Sequence, residues 1–382
     1  MGLWSMVDSD FLTNFDEIHG TEKMLWLGQN TNHLPAHPAV KEVLLKAVSN
    51  QTYNNYAPPQ GYEELRELIL RDIVGESSTP DTKVLITDGA IDGLYLVCKR
   101  YGDAPTTLIT SDPTWVWPLN FARNQGANVR LLPIYDGSKD YKLQLSDLRE
   151  ALTQGSNPIL YLIDPLNPLG SSYTRDELKK IAEVLEETDA LVIHDCTYRD
   201  FAFDHHLMRD ILPKKTITTY SFSKWLGIAG LRTGAIIADT PIFEFLLQDQ
   251  SNILGSNVLG QQAAIAAFSV KEEWIDEVNT VQRGNQKMIA EALRMVEGLH
   301  PVVYPSNGNF LAVDCQSTGV TASAIAAEFL KREIFIRTSN YHSEVLKDLF
   351  LKISTTVPVS WVERLCEELP SVLSTCSEKD KK

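Results

Sequence analysis

The sequence predicts an α/β fold, a sheet with helices on both of its faces. Between about residue 80 and residue 240, short β-branched and apolar runs alternate with helical segments. This alternation is typical of strand–helix–strand units, which place successive strands in one sheet. Turns rich in Gly, Pro and polar residues follow several of the runs, where ligands of open α/β sheets bind.

The individual elements follow from composition and periodicity. Strands are predicted where β-branched and large apolar residues cluster in short runs. These runs are 83–86, 107–110, 160–163, 190–193, 216–220 and 235–238. Helices are predicted where apolar residues recur three and four apart. These segments are 62–70, 174–187 and a longer one from about 271 through 298.

Length and charge limit the classes of function. A chain of 382 residues can bury a large core and divide into two domains. A net charge of −15 argues against nucleic acid or an anionic membrane as partner, because both need clustered positive charge. No apolar run reaches the roughly 18–20 residues of a membrane span. Residues 1–10 lack the basic start and apolar stretch of a signal peptide.

The cysteines and histidines form no recognisable metal or disulfide pattern. The five cysteines are odd in number and scattered, which favours a reducing cytoplasmic location. Cys196, beside Asp195, is predicted to be a small buried residue rather than a nucleophile. The spacing of His33, His194, His205 and His206 fits no metal motif.

Lys224 is the most informative residue of the sequence. It lies in Ser221-Phe-Ser-Lys-Trp-Leu-Gly227, directly after the predicted strand 216–220. Desolvation at the end of a buried strand lowers the pKa of an amine toward the range in which it attacks a carbonyl. Arg232, eight residues further on, offers a fork of donors suited to a phosphate. Pyridoxal 5'-phosphate (PLP), an aldehyde with a phosphate group, fits both residues.

Two further polar motifs follow other predicted strands. Asn167 lies in Asp164-Pro-Leu-Asn-Pro-Leu-Gly170, and on its own it is most simply a turn residue before a proline. Asp195 and Tyr198 follow the strand 190–193. A carboxylate paired with the pyridine nitrogen of PLP keeps that nitrogen protonated, so that the ring can take up electrons released at Cα.

A turn into a helix follows the first predicted strand, at Thr87-Asp-Gly-Ala-Ile-Asp-Gly-Leu94. Small residues at a helix N-terminus leave backbone N–H groups free, and these attract a phosphate. On its own this turn is most simply a junction between a strand and a helix, and a phosphate site is the alternative. Trp115 offers a flat apolar face on which an aromatic ligand can stack.

Taken in chain order, these segments resemble the motifs of the class I/II aminotransferases, PLP-dependent enzymes of fold type I that include aspartate and histidinol-phosphate aminotransferases. The resemblance implies a large domain with a mostly parallel seven-stranded sheet between helices, and a smaller α+β domain. The corresponding boundaries are residues 1–45 for the N-terminal arm and part of the small domain, 46–280 for the large PLP-binding domain, and 281–382 for the small C-terminal domain.

The resemblance also implies roles for single residues. Lys224 would hold PLP as an internal aldimine and act as the catalytic base, with Asp195 at the ring nitrogen and Tyr198 at the ring oxygen. Tyr56, in Tyr56-Ala-Pro-Pro-Gln-Gly61, would reach the cofactor phosphate of the neighbouring subunit in a homodimer. The remaining expected cofactor contacts are Gly89, Ala90, Ile91, Trp115, Asn167, Ser221, Ser223 and Arg232.

Lys352 departs from the family pattern on the substrate side. Class I enzymes hold the substrate α-carboxylate with an arginine, and the aligned segment Phe350-Leu-Lys-Ile-Ser354 has lysine instead. Exchanging two parallel hydrogen bonds for one point charge costs about 1–3 kcal/mol of substrate binding. Arg337, which resembles the substrate-side arginine of some subfamilies, can offset this loss. Gly28 and Asn167 are the other expected substrate contacts.

The function implied is transfer of an amino group between an amino acid and a 2-oxo acid or related carbonyl compound. Three alternatives stay open: a PLP-dependent lyase (β-elimination, C–S lyase), a decarboxylase, and an aminotransferase for an amine without a standard α-carboxylate. A non-catalytic regulator is disfavoured, because the expected lysine and aspartate are both present. The expected partners are small-molecule substrates and a second copy of the chain.

Overall fold

The structure is a computed structural model that describes residues 18–19, 21–103, 105–250 and 252–379. Its strands are β1 (Leu25–Trp26), β2 (Thr82–Thr87), β3 (Thr107–Asp112), β4 (Asn128–Pro133), β5 (Pro158–Ile163), β6 (Leu191–Asp195), β7 (Thr216–Ser221), β8 (Gly234–Asp239), β9 (His300–Pro301), β10 (Phe310–Asp314), β11 (Ile334–Phe335), β12 (Arg337–Thr338) and β13 (Phe350–Ser354).

The α-helices of the described part of the chain are α1 (Pro38–Ser49), α2 (Glu63–Ile69), α3 (Ala90–Tyr101), α4 (Trp117–Gln125), α5 (Leu145–Gln154), α6 (Arg175–Glu186), α7 (Thr240–Leu247), α8 (Val258–Phe268), α9 (Lys271–Arg294), α10 (Ala322–Leu330) and α11 (Val359–Lys379). All six predicted strands and all three predicted helices are present. The helix predicted over 62–70 continues as a π-helical turn, Leu70–Val74.

The main sheet has seven strands in the order β2-β8-β7-β6-β5-β3-β4. Strand β8 runs antiparallel to both of its neighbours, and every other pair is parallel. The fold is therefore the mostly parallel seven-stranded α/β sheet that the family resemblance implies. The carboxyl ends of β5, β6 and β7 meet at one edge of the sheet, in the register Ile163 opposite Asp195 and Asp195 opposite Thr219.

Buried apolar side chains explain why these segments form strands. Strand β5 is buried at every position, as expected for a central strand covered by helices on both faces. Strand β4 was not predicted from the sequence. It is an edge strand paired only with β3, and most of its residues are partly or fully exposed, so it lacks an apolar signal.

A second sheet lies in the C-terminal part of the chain, in the order β12-β13-β10-β9, with all its pairs antiparallel. Its apolar core includes side chains of α9, α10 and α11. In this sheet Arg337 lies opposite Lys352. The domain boundaries near residues 45 and 280 stay predictions, and residues 1–17 of the predicted arm lie outside the described residues.

None of the helices in the described ranges combines the length and the apolar character that a membrane crossing requires.

Candidate active site

A cavity of about 250 Å³ lies at the carboxyl ends of β5, β6 and β7. Parallel strands present the residues that follow them to the same edge of a sheet, which is where open α/β folds bind ligands. Most residues predicted for the site line this cavity: Gly28, Ala90, Ile91, Trp115, Asn167, Asp195, Tyr198, Ser221, Ser223, Lys224, Arg232, Arg337 and Lys352.

Lys224 lies three residues beyond the end of β7. Its Nζ atom is 3.4 Å from the backbone carbonyl oxygen of Gln29. Burial, with a smaller contribution from the positive charge of Arg232, lowers the pKa of the Lys224 amine to about 8. At pH 7 about a tenth of this amine is therefore neutral, and thus nucleophilic.

Asp195 ends β6 and is held by three hydrogen bonds. The Tyr161 hydroxyl donates to Oδ2 at 2.9 Å. Thr197 donates to Oδ1 from its hydroxyl at 2.6 Å and from its backbone N–H at 3.1 Å. Donors of this kind fix the orientation of a carboxylate. Asp195 can therefore present a fixed negative charge to a ligand in the cavity.

Asn167 and Tyr198 are each oriented by a neighbouring side chain. Lys352 donates from Nζ to Oδ1 of Asn167 at 3.2 Å. Asn30 donates from Nδ2 to the hydroxyl oxygen of Tyr198 at 3.0 Å. Because these oxygens already accept hydrogen bonds, the Asn167 amide hydrogens and the Tyr198 hydroxyl hydrogen remain available to a ligand oxygen.

The opposite end of the cavity has the character of a phosphate site. Ala90 is the first residue of α3, whose free backbone N–H groups attract an anion. Arg232 is exposed and directs Nη1 to the Ala229 carbonyl at 2.8 Å and Nη2 to the Asp88 carbonyl at 3.1 Å. Gly89 has a φ of +83°, and an added Cβ there would collide with Nη2 of Arg232. The guanidinium group thus lies directly against this turn.

Lys352 and Arg337 form a pair of basic side chains on the second sheet. Burial, followed by the charges of Arg337 and Lys224, lowers the pKa of Lys352 well below its usual value. Burial also lowers the pKa of Arg337, whose guanidinium lies 4.5 Å from the centroid of the Tyr341 ring. Neither Lys352 nor Lys224 forms a salt bridge with a carboxylate in the described part of the chain. An anion bound between these groups would relieve their mutual repulsion.

The charge of the whole lining favours anionic ligands. Four basic side chains line the cavity: Lys224, Arg232, Arg337 and Lys352. Among the lining residues in the described ranges, Asp195 is the single carboxylate. A ligand with a phosphate at one end, a carboxylate at the other and a protonated ring nitrogen beside Asp195 would match this distribution.

Two predicted residues do not line the cavity. Gly89 lies immediately behind Ala90 and contacts Arg232 instead. Tyr56 is 77% exposed and lies with Leu254 in a different surface depression. Its expected contact with a second subunit stays a prediction.

Several cavity residues were not predicted from the sequence. They are Gln29, Asn30, Ile163, Thr197, Ala229 and Tyr341. Tyr161, which holds Asp195, was also missed because it lies in the middle of β5 and looks like an ordinary core aromatic. Three of these residues had a local signal in the sequence. Gln29 and Asn30 follow the predicted Gly28, and Thr197 lies between Asp195 and Tyr198.

The fold also brings together a cluster that sequence spacing did not indicate. The ligand-type atoms of His194, Cys196 and His205 lie within 4.8 Å of one another. Nδ1 of His194 accepts from the Met208 backbone N–H at 3.2 Å, and Nε2 of His205 donates to the Asp164 carbonyl at 3.0 Å. Cys196 is buried, as the sequence predicts, and burial raises the pKa of its thiol well above its usual value.

The residues of the cavity fit PLP. A lysine amine with a lowered pKa suits an aldehyde, and a hydrogen-bonded carboxylate suits a pyridinium nitrogen. A helix N-terminus beside an arginine suits a phosphate. These are the three recognisable parts of the cofactor, and one cavity provides for all of them.

Several known proteins with similar sequences and folds are aminotransferases. Histidinol-phosphate aminotransferase of Methanococcus aeolicus is 25% identical over 319 residues, covering 83% of this chain and 81% of the relative. Aspartate aminotransferase of Pyrococcus horikoshii is 23% identical over 333 residues, covering 83% and 82%. The structure of Thermus thermophilus aspartate aminotransferase with maleate superposes with a TM-score of 0.84 at 19% identity, over 97% of this chain and 100% of that chain.

The family model of aminotransferase class I and II matches residues 22–369, which is most of the sequence. The structural likeness agrees with fold type I, and the enzymes of this family depend on PLP. The chain therefore belongs to the class I and II aminotransferase family and is a PLP-dependent aminotransferase.

Proposed function

We propose that the enzyme transfers the amino group of an α-amino acid to a 2-oxo acid, with Lys224 as its catalytic base. The observation that carries this proposal is the position of Lys224 and Asp195 in one cavity, with the pKa of the Lys224 amine lowered to about 8. An amine that titrates near the working pH can both release and accept a proton.

The residues proposed to hold PLP divide by its chemical groups. Asp195 would pair with the ring nitrogen, and Asn167 and Tyr198 with the ring hydroxyl oxygen. Trp115 would lie against the ring. The phosphate contacts would be Ser221, Ser223, Arg232 and the turn formed by Gly89, Ala90 and Ile91. When bound, PLP supplies an aldehyde that reacts with amines and a ring that accepts electrons from the substrate Cα.

Lys224 removes the proton from the substrate Cα in one half of the cycle, and in the other half it supplies a proton to the Cα of the amino acid that is formed. Its side chain is partly buried, which limits the access of water to that proton. Asp195, held by Tyr161 and Thr197, keeps its negative charge fixed throughout. This charge stabilises the electron-accepting state without any movement of the protein.

Lys352 and Arg337 are proposed to bind the substrate carboxylate. They lie opposite each other on adjacent strands of the second sheet and both line the cavity. Lys352 replaces the usual arginine with a single point charge, while Arg337 adds a planar fork of donors. Gly28 lines the same cavity, and an added Cβ there would collide with Phe335.

Lys224→Ala, compared with Lys224→Arg, tests this proposal. Purified enzyme with added PLP is mixed with a panel of amino acids, and the absorbance change of the cofactor and the amount of 2-oxo acid are measured. We expect Lys224→Ala to lose turnover by more than about 10³-fold. Lys214→Ala, an exposed lysine ten residues earlier, serves as the matched control and should behave like wild type.

Product analysis separates transamination from the alternative reactions. Stoichiometric 2-oxo acid with conversion of the cofactor to its aminated form supports amino transfer. Release of ammonia and pyruvate, or of CO2, without the aminated cofactor would instead identify a lyase or a decarboxylase. Equal turnover by wild type and Lys224→Ala would refute the role of Lys224.

A homodimer with shared active sites is also proposed. Large apolar side chains are exposed around Tyr56, namely Tyr53, Ile253 and Leu254. Tyr56 lies outside the cavity of its own chain, which supports the expectation that it serves the cavity of a second copy. The apolar cluster would then be buried between the two subunits.

Subunit mixing tests this arrangement. Inactive Lys224→Ala protein is mixed with Tyr56→Phe protein, and activity is measured after exchange of subunits. If Tyr56 acts on the partner, each hybrid contains one complete site, and activity rises above that of either parent. No gain in a verified hybrid dimer would contradict the shared site.

A cytoplasmic location is proposed on the basis of the cysteines. All five lie among the described residues, and each is a free thiol: Cys98, Cys196, Cys315, Cys366 and Cys376. Free thiols persist in a reducing compartment. Thiol titration of protein from its native cells should therefore find five reactive groups after unfolding.

A further inference from the structure

A second cavity, of about 370 Å³, adjoins the active site. Arg337 and Tyr341 line both cavities, so these two side chains form their common wall. The cavity lies between the start of α4 and the segment that follows β12. The Trp117 indole N–H donates to the Tyr341 hydroxyl at 2.8 Å, which joins the two sides.

Three buried polar atoms in residues that line this second cavity have no hydrogen-bond partner among the described residues. They are Oδ1 of Asp112, Oγ1 of Thr114 and Nε2 of His342. These residues are 7%, 1% and 0% exposed. Burial of an unpaired polar atom is costly, and proteins rarely tolerate three in one place without a ligand or ordered water.

Two of the three atoms are hydrogen-bond acceptors: Nε2 of His342, and Oδ1 of Asp112 in its ionised form, although burial raises the pKa of Asp112 from its usual value. His342 Nδ1 donates to the Thr114 carbonyl at 3.0 Å, and the Thr114 N–H donates back to the His342 carbonyl at 3.0 Å. This reciprocal pair fixes the imidazole, and burial lowers the pKa of His342 well below its usual value. The ring is therefore neutral, and its Nε2 presents a lone pair. The Asp112 carboxylate is the other acceptor.

The remaining walls suit an aliphatic chain with a cationic end. Leu119 and Ile336 provide apolar surface, and Trp117 an aromatic face. Glu344 adds a second carboxylate beside Asp112, while Arg123 and Arg337 contribute positive charge to the rim. The unpaired acceptors favour a cationic ligand over an anionic one. An anion would have no hydrogen to donate to them, and the negative charge of Asp112 would repel it.

We propose that this second cavity binds the basic end group, a guanidinium or an ammonium, of the side chain of the amino substrate. The α-carboxylate and α-amine stay in the first cavity, and the side chain passes the wall formed by Arg337 and Tyr341. Asp112, His342 and Glu344 accept hydrogen bonds from the end group. The inference rests on the proposed amino-acid substrate and assigns it to the basic class.

Selectivity between two amino acids tests the proposal in the holoenzyme. L-Arginine carries the end group, and L-norleucine has an unbranched chain without it. We expect kcat/KM for arginine to exceed that for norleucine by at least about tenfold, the value of a charged hydrogen bond.

Asp112→Asn and Glu344→Gln should each lower this ratio several-fold. Glu344 is exposed, so its variant tests the proposal even if the buried Asp112→Asn fails to fold. Glu363→Gln, an exposed glutamate on α11, is the matched control.

A direct binding measurement keeps this inference separate from the proposed reaction. 4-Guanidinobutyrate lacks an α-amine and cannot react with the cofactor, so calorimetry reports its binding to the holoenzyme without turnover. We expect it to bind at least about tenfold more tightly than pentanoate. Equal binding of the two, or turnover of norleucine as fast as of arginine, would overturn the subsite and leave amino transfer intact. Tighter binding of the guanidino compound without any turnover would support the subsite while refuting the proposed function.

Discussion

Lys352 donates a hydrogen bond from Nζ to Oδ1 of Asn167 at 3.2 Å, and this bond joins the second sheet to the loop after β5. This bond occupies the oxygen of the Asn167 amide and leaves the two amide hydrogens free to be donated to a ligand. The lysine is buried and lies near two other cations, Arg337 and Lys224. A single side chain thus couples the proposed carboxylate contact to the proposed cofactor contact.

Lys352→Met should separate binding from stability. Methionine fills a similar volume but removes the charge and the bond to Asn167, so we expect the KM for the amino substrate to rise about tenfold or more. The melting temperature of the apo-protein should not fall, because the variant removes an amine that burial deprives of water. Steady-state kinetics and thermal denaturation measure the two effects. Lys347→Met, at an exposed position, is the control. A lower melting temperature with unchanged KM would show that Lys352 is structural.

Removing the donors to Asp195 should weaken retention of PLP. Tyr161→Phe and Thr197→Val each delete one hydroxyl that holds the carboxylate. The loss of a hydrogen bond to a charged group costs about 1.5–3 kcal/mol, so we expect the Kd for PLP to rise at least about tenfold in each variant. Equilibrium dialysis or fluorescence titration of the apo-protein measures it. Thr280→Val, whose hydroxyl bonds only a helix carbonyl, should bind PLP like wild type.

The double variant tells whether the two donors act together. Both bonds end on one carboxylate, so their effects should deviate from additivity. Strict additivity, or wild-type affinity in either single variant, would contradict a shared role in holding Asp195.

The lowered pKa of Lys224 predicts a pH dependence of stability. Its value is about 8 in the folded protein and 10.5 in the ordinary side chain. Between these values the unfolded chain binds more protons, so the free energy of unfolding of the apo-protein should rise with pH through this window. Urea unfolding from pH 7.5 to 10.5 measures the slope, and Lys224→Met should lack the part that Lys224 contributes. Identical slopes in the two proteins would show that the Lys224 pKa is not lowered.

The site residues that could be predicted best from the sequence are those at or just after the carboxyl ends of strands. Asn167 and Lys224 follow β5 and β7, Asp195 is the last residue of β6, and parallel pairing brings these strand ends together. These motifs are far apart in the sequence, but the parallel sheet places the ends of its strands side by side. The positions of the motifs after predicted strands were therefore enough to predict that they share one site.

Contacts between distant segments could not be predicted in this way. Asn30 reaches Tyr198 over 168 residues, and Tyr341 meets Trp117 over 224 residues. Tyr161 differs from any core tyrosine only in the bond that its hydroxyl makes, which depends on the register of β5 against β6. Such residues have no local pattern, since their roles follow from packing of the whole chain.

Gly89→Ala should abolish the phosphate site while leaving the fold intact. At a φ of +83° an alanine is strained, and its Cβ would displace the Arg232 guanidinium. We therefore expect the Kd for PLP to rise about 100-fold, because both the arginine and the turn lose their positions. Gly284→Ala is the matched control, since Gly284 lies exposed in α9 with open space around its Cα. There the same substitution should raise the free energy of unfolding by about 1 kcal/mol and leave PLP binding unchanged. If Gly89→Ala bound PLP as tightly as Gly284→Ala, the phosphate would have to be held elsewhere in the cavity.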